Sequence, residues 1–145
     1  MTTRPINDDD RAFITSHAQA GLRLLAHYGV AEPQQLSPAK VAGALDAWRS
    51  DNEASRPVEL EVIRSLGCLL GFYIEKAGLG SWVMVTDTFG TTLGITHLRT
   101  NWVLYPLDVV SKRTKTGSGA DLVSIVDVFA DGDLQKFESQ TGASQ

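Results

Sequence analysis

A chain of 145 residues that is 43% apolar and 21% charged has the make-up of one globular domain, residues 1–145, able to bury roughly 68 to 70% of its unfolded-chain surface, which excludes a disordered or fibrous protein. Seventeen acidic against thirteen basic side chains give a net charge of −4, the wrong sign for holding nucleic acid through its phosphates. The polar start from Met1 to Asp10 lacks the order of a signal peptide, and no run approaches the roughly 18 apolar residues of a membrane span. With Cys68 as the single cysteine no intrachain disulfide forms, so a cytoplasmic protein without a membrane partner is expected.

In chain order, Asn7 to Asp10 place capping and acidic residues before a helix predicted over 11–28, which Gly29 closes. Phe13, Ile14, Ala18, Gly21, Leu24, Leu25 and Tyr28 share one side of it. Ser37 followed by Pro38 starts a second helix to about residue 50, with a stripe of Val41, Leu45 and Trp48. The third, over 57–77, is the most apolar, and Val62, Leu66, Leu69, Leu70 and Ile74 mark it as the central helix. Gly67 and Gly71 sit beside its apolar face at a cost of up to ~1 kcal/mol each in helix propensity, which predicts a close backbone approach.

Beyond Gly80 the period becomes extended. Residues 81–87 and 91–97 flank the turn Asp87-Thr88-Phe89-Gly90, the pattern of a β-hairpin, and 102–105 supplies a third strand. Pro106 opens a helix to about residue 115. Asp121 caps a last helix through about residue 130, with a buried strand over 122–129 as the rival reading. Residues 1–6 and 139–145 read as loose ends. The fold class is therefore α+β: N-terminal helices packed on a small antiparallel three-stranded sheet, followed by C-terminal helices.

Three stretches carry a likeness. Leu66 to Gly71, Trp82 to Asp87 with Phe89-Gly90-Thr91, and Tyr105-Pro106-Leu107 ending at Ser111-Lys112-Arg113 together resemble the bacterial domain-of-unknown-function family 3806, over about half the chain. The resemblance implies an α+β domain of bacterial origin and no particular activity. The Trp-bearing strand before an Asp/Gly turn is also similar to small immunity domains that neutralise toxins, a likeness at fold level only.

No motif points to catalysis or to a cofactor. His17, His27 and His97 lack the short spacing of a helical metal site, although His97 shares strand parity with Leu93 and Ile95. Cys68 is read as lying on the Glu61, Arg64 and Glu75 side of its helix, without the neighbours that activate a thiol. Gly117-Ser118-Gly119 is a linker. Asp127 to Glu138 approaches a calcium loop, with Asp131, Gly132 and Leu134 in register, but Phe129 stands at a ligand position.

Two constellations remain. Arg99, Trp102, Tyr105, Lys112 and Arg113 have the composition of a protein-binding patch, set against the plain reading of a cationic helix end and core aromatics. Gly67, Gly71, Asp87, Gly94 and His97 outline a pocket between the central helix and the sheet, set against close packing and a turn-forming aspartate. The expectation is a non-catalytic module that binds a protein partner, toxin neutralisation being one version. A small-ligand binder or enzyme using the pocket is the alternative, and a homo-oligomeric assembly subunit the third class.

Overall fold

The computed structural model describes residues 1–116 and 119–132. Nine elements follow in order: β1 (Thr2–Pro5), α1 (Asp8–His27), α2 (Pro38–Arg49), α3 (Glu59–Lys76), β2 (Gly80–Asp87), β3 (Gly90–His97), β4 (Val103–Leu104), α4 (Pro106–Ser111) and α5 (Gly119–Asp131).

Helix α1 begins in a capping box. The Asn7 side chain accepts from the Asp10 N–H at 2.8 Å, and the Asp10 carboxylate accepts from the Asn7 N–H at 3.0 Å. The acids expected ahead of the helix thus form its first turn. Helix α2 starts as its Ser-Pro pair predicts, with Ser37 as N-cap. In α3 every residue from Ser65 to Gly71 is buried, so this helix runs through the core with neighbours all round. Cys68 is among them and is fully buried, not on the charged side of the helix.

Small residues set what packs on α3. It runs antiparallel to α1, with Arg11 of α1 bound to Glu75 near its far end at 2.7 Å. A Cβ at Gly21 would lie 2.6 Å from the Ser65 carbonyl oxygen, so this glycine lets the two helices touch. At Gly67 a Cβ would come within 2.8 Å of the Leu107 Cα, which is the close backbone approach the sequence predicts. At Gly71 the neighbour is the Trp82 indole instead.

The sheet has four strands, not three, in the order β1-β2-β3-β4 and antiparallel throughout. The unforeseen strand is β1, from a segment read as a loose end: Thr2 pairs with Thr86 and Pro5 with Val83. All four of its residues are exposed, so it has no apolar alternation to betray it, and an edge position tolerates the proline. Strand β4 is shorter than expected, and α4 ends at Ser111, leaving Lys112 as its C-cap. Residues 119–131 are helical, because Leu122, Val126 and Phe129 at helical spacing are buried. Asp121 lies within the first turn of α5.

Alternation divides the sheet into two faces. Trp82, Leu93, Ile95, His97 and Leu104 share the inner face by register and are all buried. Phe129 of α5 is fully buried and meets Trp102 at 4.9 Å and His97 at 5.1 Å between ring centroids, both edge-on.

Candidate functional site

The opposite face of the sheet carries Thr3 and Pro5 of β1, Val83, Val85 and Asp87 of β2, Thr92, Gly94 and Thr96 of β3, and Val103 of β4. Of these only Val85 and Gly94 are buried; the others are exposed or half-exposed. The face is therefore open to solvent with a small apolar patch at its centre. That patch forms because Gly94 has no side chain: a Cβ there would meet Val103 Cγ1 at 2.7 Å, Val85 Cγ2 at 3.3 Å and Tyr105 Cδ1 at 3.4 Å. Tyr105 continues the parity of Val103 and folds over the gap. Burial raises its phenol above the usual tyrosine range, and the charge of Asp87 raises it further.

At one end of this face the β2–β3 turn is built tightly. The Phe89 N–H donates to Asp87 Oδ1 at 2.8 Å, Thr86 and Thr91 join their hydroxyls at 2.9 Å, and Gly90 takes a φ of 127° that side chains rarely adopt. The result is a fixed turn that holds Phe89 96% exposed. At the other end of β3, Leu98 is 67% exposed, followed by the exposed Arg99.

The structure thus redistributes the residues singled out from the sequence. Asp87 and Gly94, expected in a pocket, join Tyr105, expected in a partner patch, on the outer face. Trp102 is buried against Phe129 and belongs to the core. Lys112 pairs with Asp108 at 3.0 Å. Arg113 folds back so that its guanidinium donates to the Val109 carbonyl at 2.9 Å, and burial lowers its pKa. The five residues of the expected patch do not form one surface.

Nor do Gly67, Gly71, Gly94 and His97 line a common space. Leu107, Trp82 and the Val103–Tyr105 pair fill the room beside the three glycines. His97 is buried, accepts the Arg99 N–H on Nδ1 at 3.0 Å, and lies against Gly132, where a Cβ would come within 2.9 Å of the ring. His17 bonds the Phe13 carbonyl oxygen at 3.0 Å, and burial pushes the Cys68 thiol up to about 12. Of the calcium-like segment, Asp127 and Asp131 are exposed on α5, while Leu134 and Glu138 lie outside the described residues. Among the described residues no group of three or more His, Cys, Asp or Glu is placed to hold a metal ion, and no helix is long and apolar enough to cross a membrane.

Sequence reasoning passed over one feature altogether. Where α1 and α3 part, Arg23, His27, Glu61 and Ser65 face a cleft of about 370 Å³. The available signal was the spacing of Arg23 and His27, one helical turn apart beyond Gly21.

The model of a domain of unknown function, DUF3806, matches residues 45–125, more than half of the chain. The match runs from the second half of α2 through α3, the β2–β3 hairpin, β4 and α4 into α5, and so takes in Gly67, Gly71, Phe89, Gly94 and Tyr105. No curated protein and no solved structure matches the chain. By the extent of that match this chain belongs to the DUF3806 family.

Proposed function

We propose that the protein is a non-catalytic module that holds a protein partner against the outer face of its sheet, with Phe89 as the protruding anchor and Tyr105 as the centre. The observation that carries the reading is Phe89, 96% exposed on a turn fixed by the Asp87 and Thr86–Thr91 hydrogen bonds. An aromatic ring left in water gains nothing for folding, whereas aromatics supply much of the binding energy of protein interfaces. The half-buried Tyr105 and Val103 beside it give an apolar centre with a rim of threonines, the anatomy of a moderate interface.

Charge narrows the partner. The exposed Asp87 lies at one end of the outer face, and the chain carries −4 overall, which suits a basic partner and speeds its approach at low salt. Neutralising a basic toxin is one form this takes. In this reading the module works in the cytoplasm, where a lone buried thiol is kept reduced.

The test is affinity capture from a lysate of the source cell, comparing the native protein with Phe89→Ala and with an Arg99, Lys112 and Arg113 charge-reversed variant, read by mass spectrometry. A specific protein held by the native and charge-reversed chains and lost from Phe89→Ala is the expected result. Retention by Phe89→Ala at native level overturns the assignment of the surface.

A further inference from the structure

The cleft between α1 and α3 lies on another part of the molecule, at the end of α3 remote from β2, and does not depend on the reading of the sheet. Its walls have opposite charge. Arg23 and His27 come from α1 and Glu61 from α3, with Leu24 and Pro57 as the apolar part. Although Arg23 and Glu61 border the same space, neither takes part in an ion pair or a side-chain hydrogen bond among the described residues. The close contact at Gly21 fixes where the helices cross and so sets the width of the gap beyond.

The end wall is fixed as well. Residues 51–57, which supply Ser55 and Pro57 to the cleft, are tied down on several sides. Trp48 Nε1 donates to the Pro57 carbonyl at 2.7 Å, Arg56 donates to the Trp48 carbonyl at 3.2 Å and stacks 4.3 Å above the Trp48 ring. The Tyr28 hydroxyl donates to Asp51 at 2.8 Å, anchoring the loop to the end of α1. A loop held in this way keeps its wall of the cleft in place without a ligand, so the ordering cost of binding falls mainly on the exposed Arg23 and Glu61 side chains.

We propose that the cleft binds a small zwitterion of the amino-acid class, a free α-amino acid or a dipeptide. The carboxylate accepts hydrogen bonds from the Arg23 guanidinium, a planar fork that matches it, with His27 beside it. The ammonium donates to the Glu61 carboxylate, and the side chain rests on Leu24 and Pro57. The cleft is largely open to solvent, and its volume of about 370 Å³ is at the lower end for ligand sites, which leaves room for a small molecule.

Thermal shift with each common L-amino acid and a set of dipeptides, followed by calorimetry on the best binder, tests this on the full chain. The expected result is saturable binding of at least one of them at up to millimolar concentration. Its N-acetyl and carboxamide derivatives, and the Arg23→Gln and Glu61→Gln variants, each weaken binding by about tenfold or more. Both substitutions are at exposed positions, and an unchanged far-UV spectrum and melting temperature verify that the variants fold. Whether amino acids or dipeptides bind tells the two sources apart. Absence of saturable binding across the whole panel overturns the proposal, as does equal binding of the charge-blocked derivatives.

Discussion

On the inner face of the sheet, Trp82 lies against Gly71 of α3, and Trp102 and His97 meet the edge of Phe129 from α5. At the tip of the β2–β3 hairpin Phe89 stands almost wholly in water, and on the outer face Tyr105 covers a patch made by Val85, Gly94 and Val103 of three strands. Both regions are rich in aromatics, and both use glycines to make room. They differ in who occupies the room. Inside, helices fill it, so each ring is fixed by neighbours distant in sequence. Outside, only the strands and Tyr105 contribute, and the hairpin tip carries a ring left almost wholly in water. A large apolar group that folding leaves in place on a rigid turn is the feature to explain by binding, whereas the inner aromatics are accounted for by the core.

Substitutions that separate the faces sharpen this contrast. The largest expected effect is that of Phe129→Ala, which removes a fully buried ring and costs about 3 to 5 kcal/mol in urea denaturation. Gly71→Ala comes next. The new methyl meets the Trp82 ring, and overpacking outweighs the better helix propensity of alanine for a net loss of about 1 to 3 kcal/mol.

Gly94→Ala, the outer counterpart, costs less. Its methyl meets side-chain atoms of Val103, Val85 and Tyr105 on a face with open water beside it, and the loss of glycine's backbone freedom offsets roughly 0.5 to 1 kcal/mol of the strain. A Gly94→Ala penalty as large as that of Gly71→Ala would show that the outer patch is packed like the core. Phe89→Ala is expected to shift stability by less than about 0.5 kcal/mol while abolishing partner capture.

The smallest effect is electrostatic. The Tyr105 phenol stays protonated above the ordinary tyrosine range, chiefly through burial and secondarily through Asp87. An acid whose pKa is raised by folding adds stability that is complete below its unfolded pKa of about 10 and is lost as pH rises through the folded value. Asp87→Asn should therefore move the Tyr105 transition downward in a spectrophotometric titration. Tyr28, raised to about 12 by burial and by its bond to Asp51, should not move and serves as the reference. A Tyr105 transition unaffected by Asp87→Asn would separate the two residues that the outer face brings together.

Local chemistry made much of the fold readable in advance. The Ser37-Pro38 start, the apolar stripes of α1 and α3 and the hairpin turn at Asp87 to Gly90 each depend on residues close in sequence. What escaped depends on distant contacts. Strand β1 is exposed along its length and exists because the β2 edge offers partners about eighty residues away. Trp102 was open to both a surface and a core reading, because nothing in its own segment reveals Phe129, which packs against it. The site was legible in pieces: Asp87, Gly94 and Tyr105 were each noticed, but strand parity and the β3–β4 register were needed to put them on one face. The α1–α3 cleft depends on how two helices part beyond Gly21, a property of neither helix alone.

A partner docked on the outer face and the hairpin tip would shield the backbone amides there. Amide hydrogen exchange on the chain, free and saturated with the captured partner, tests this docking most directly. New protection is expected to be confined to the β2–β3 turn, β1 and the β4–Tyr105 segment, with the rates in α1 and α3 unchanged. Protection that instead falls on residues 51–61 and the end of α1, with the hairpin exchanging as before, would contradict it.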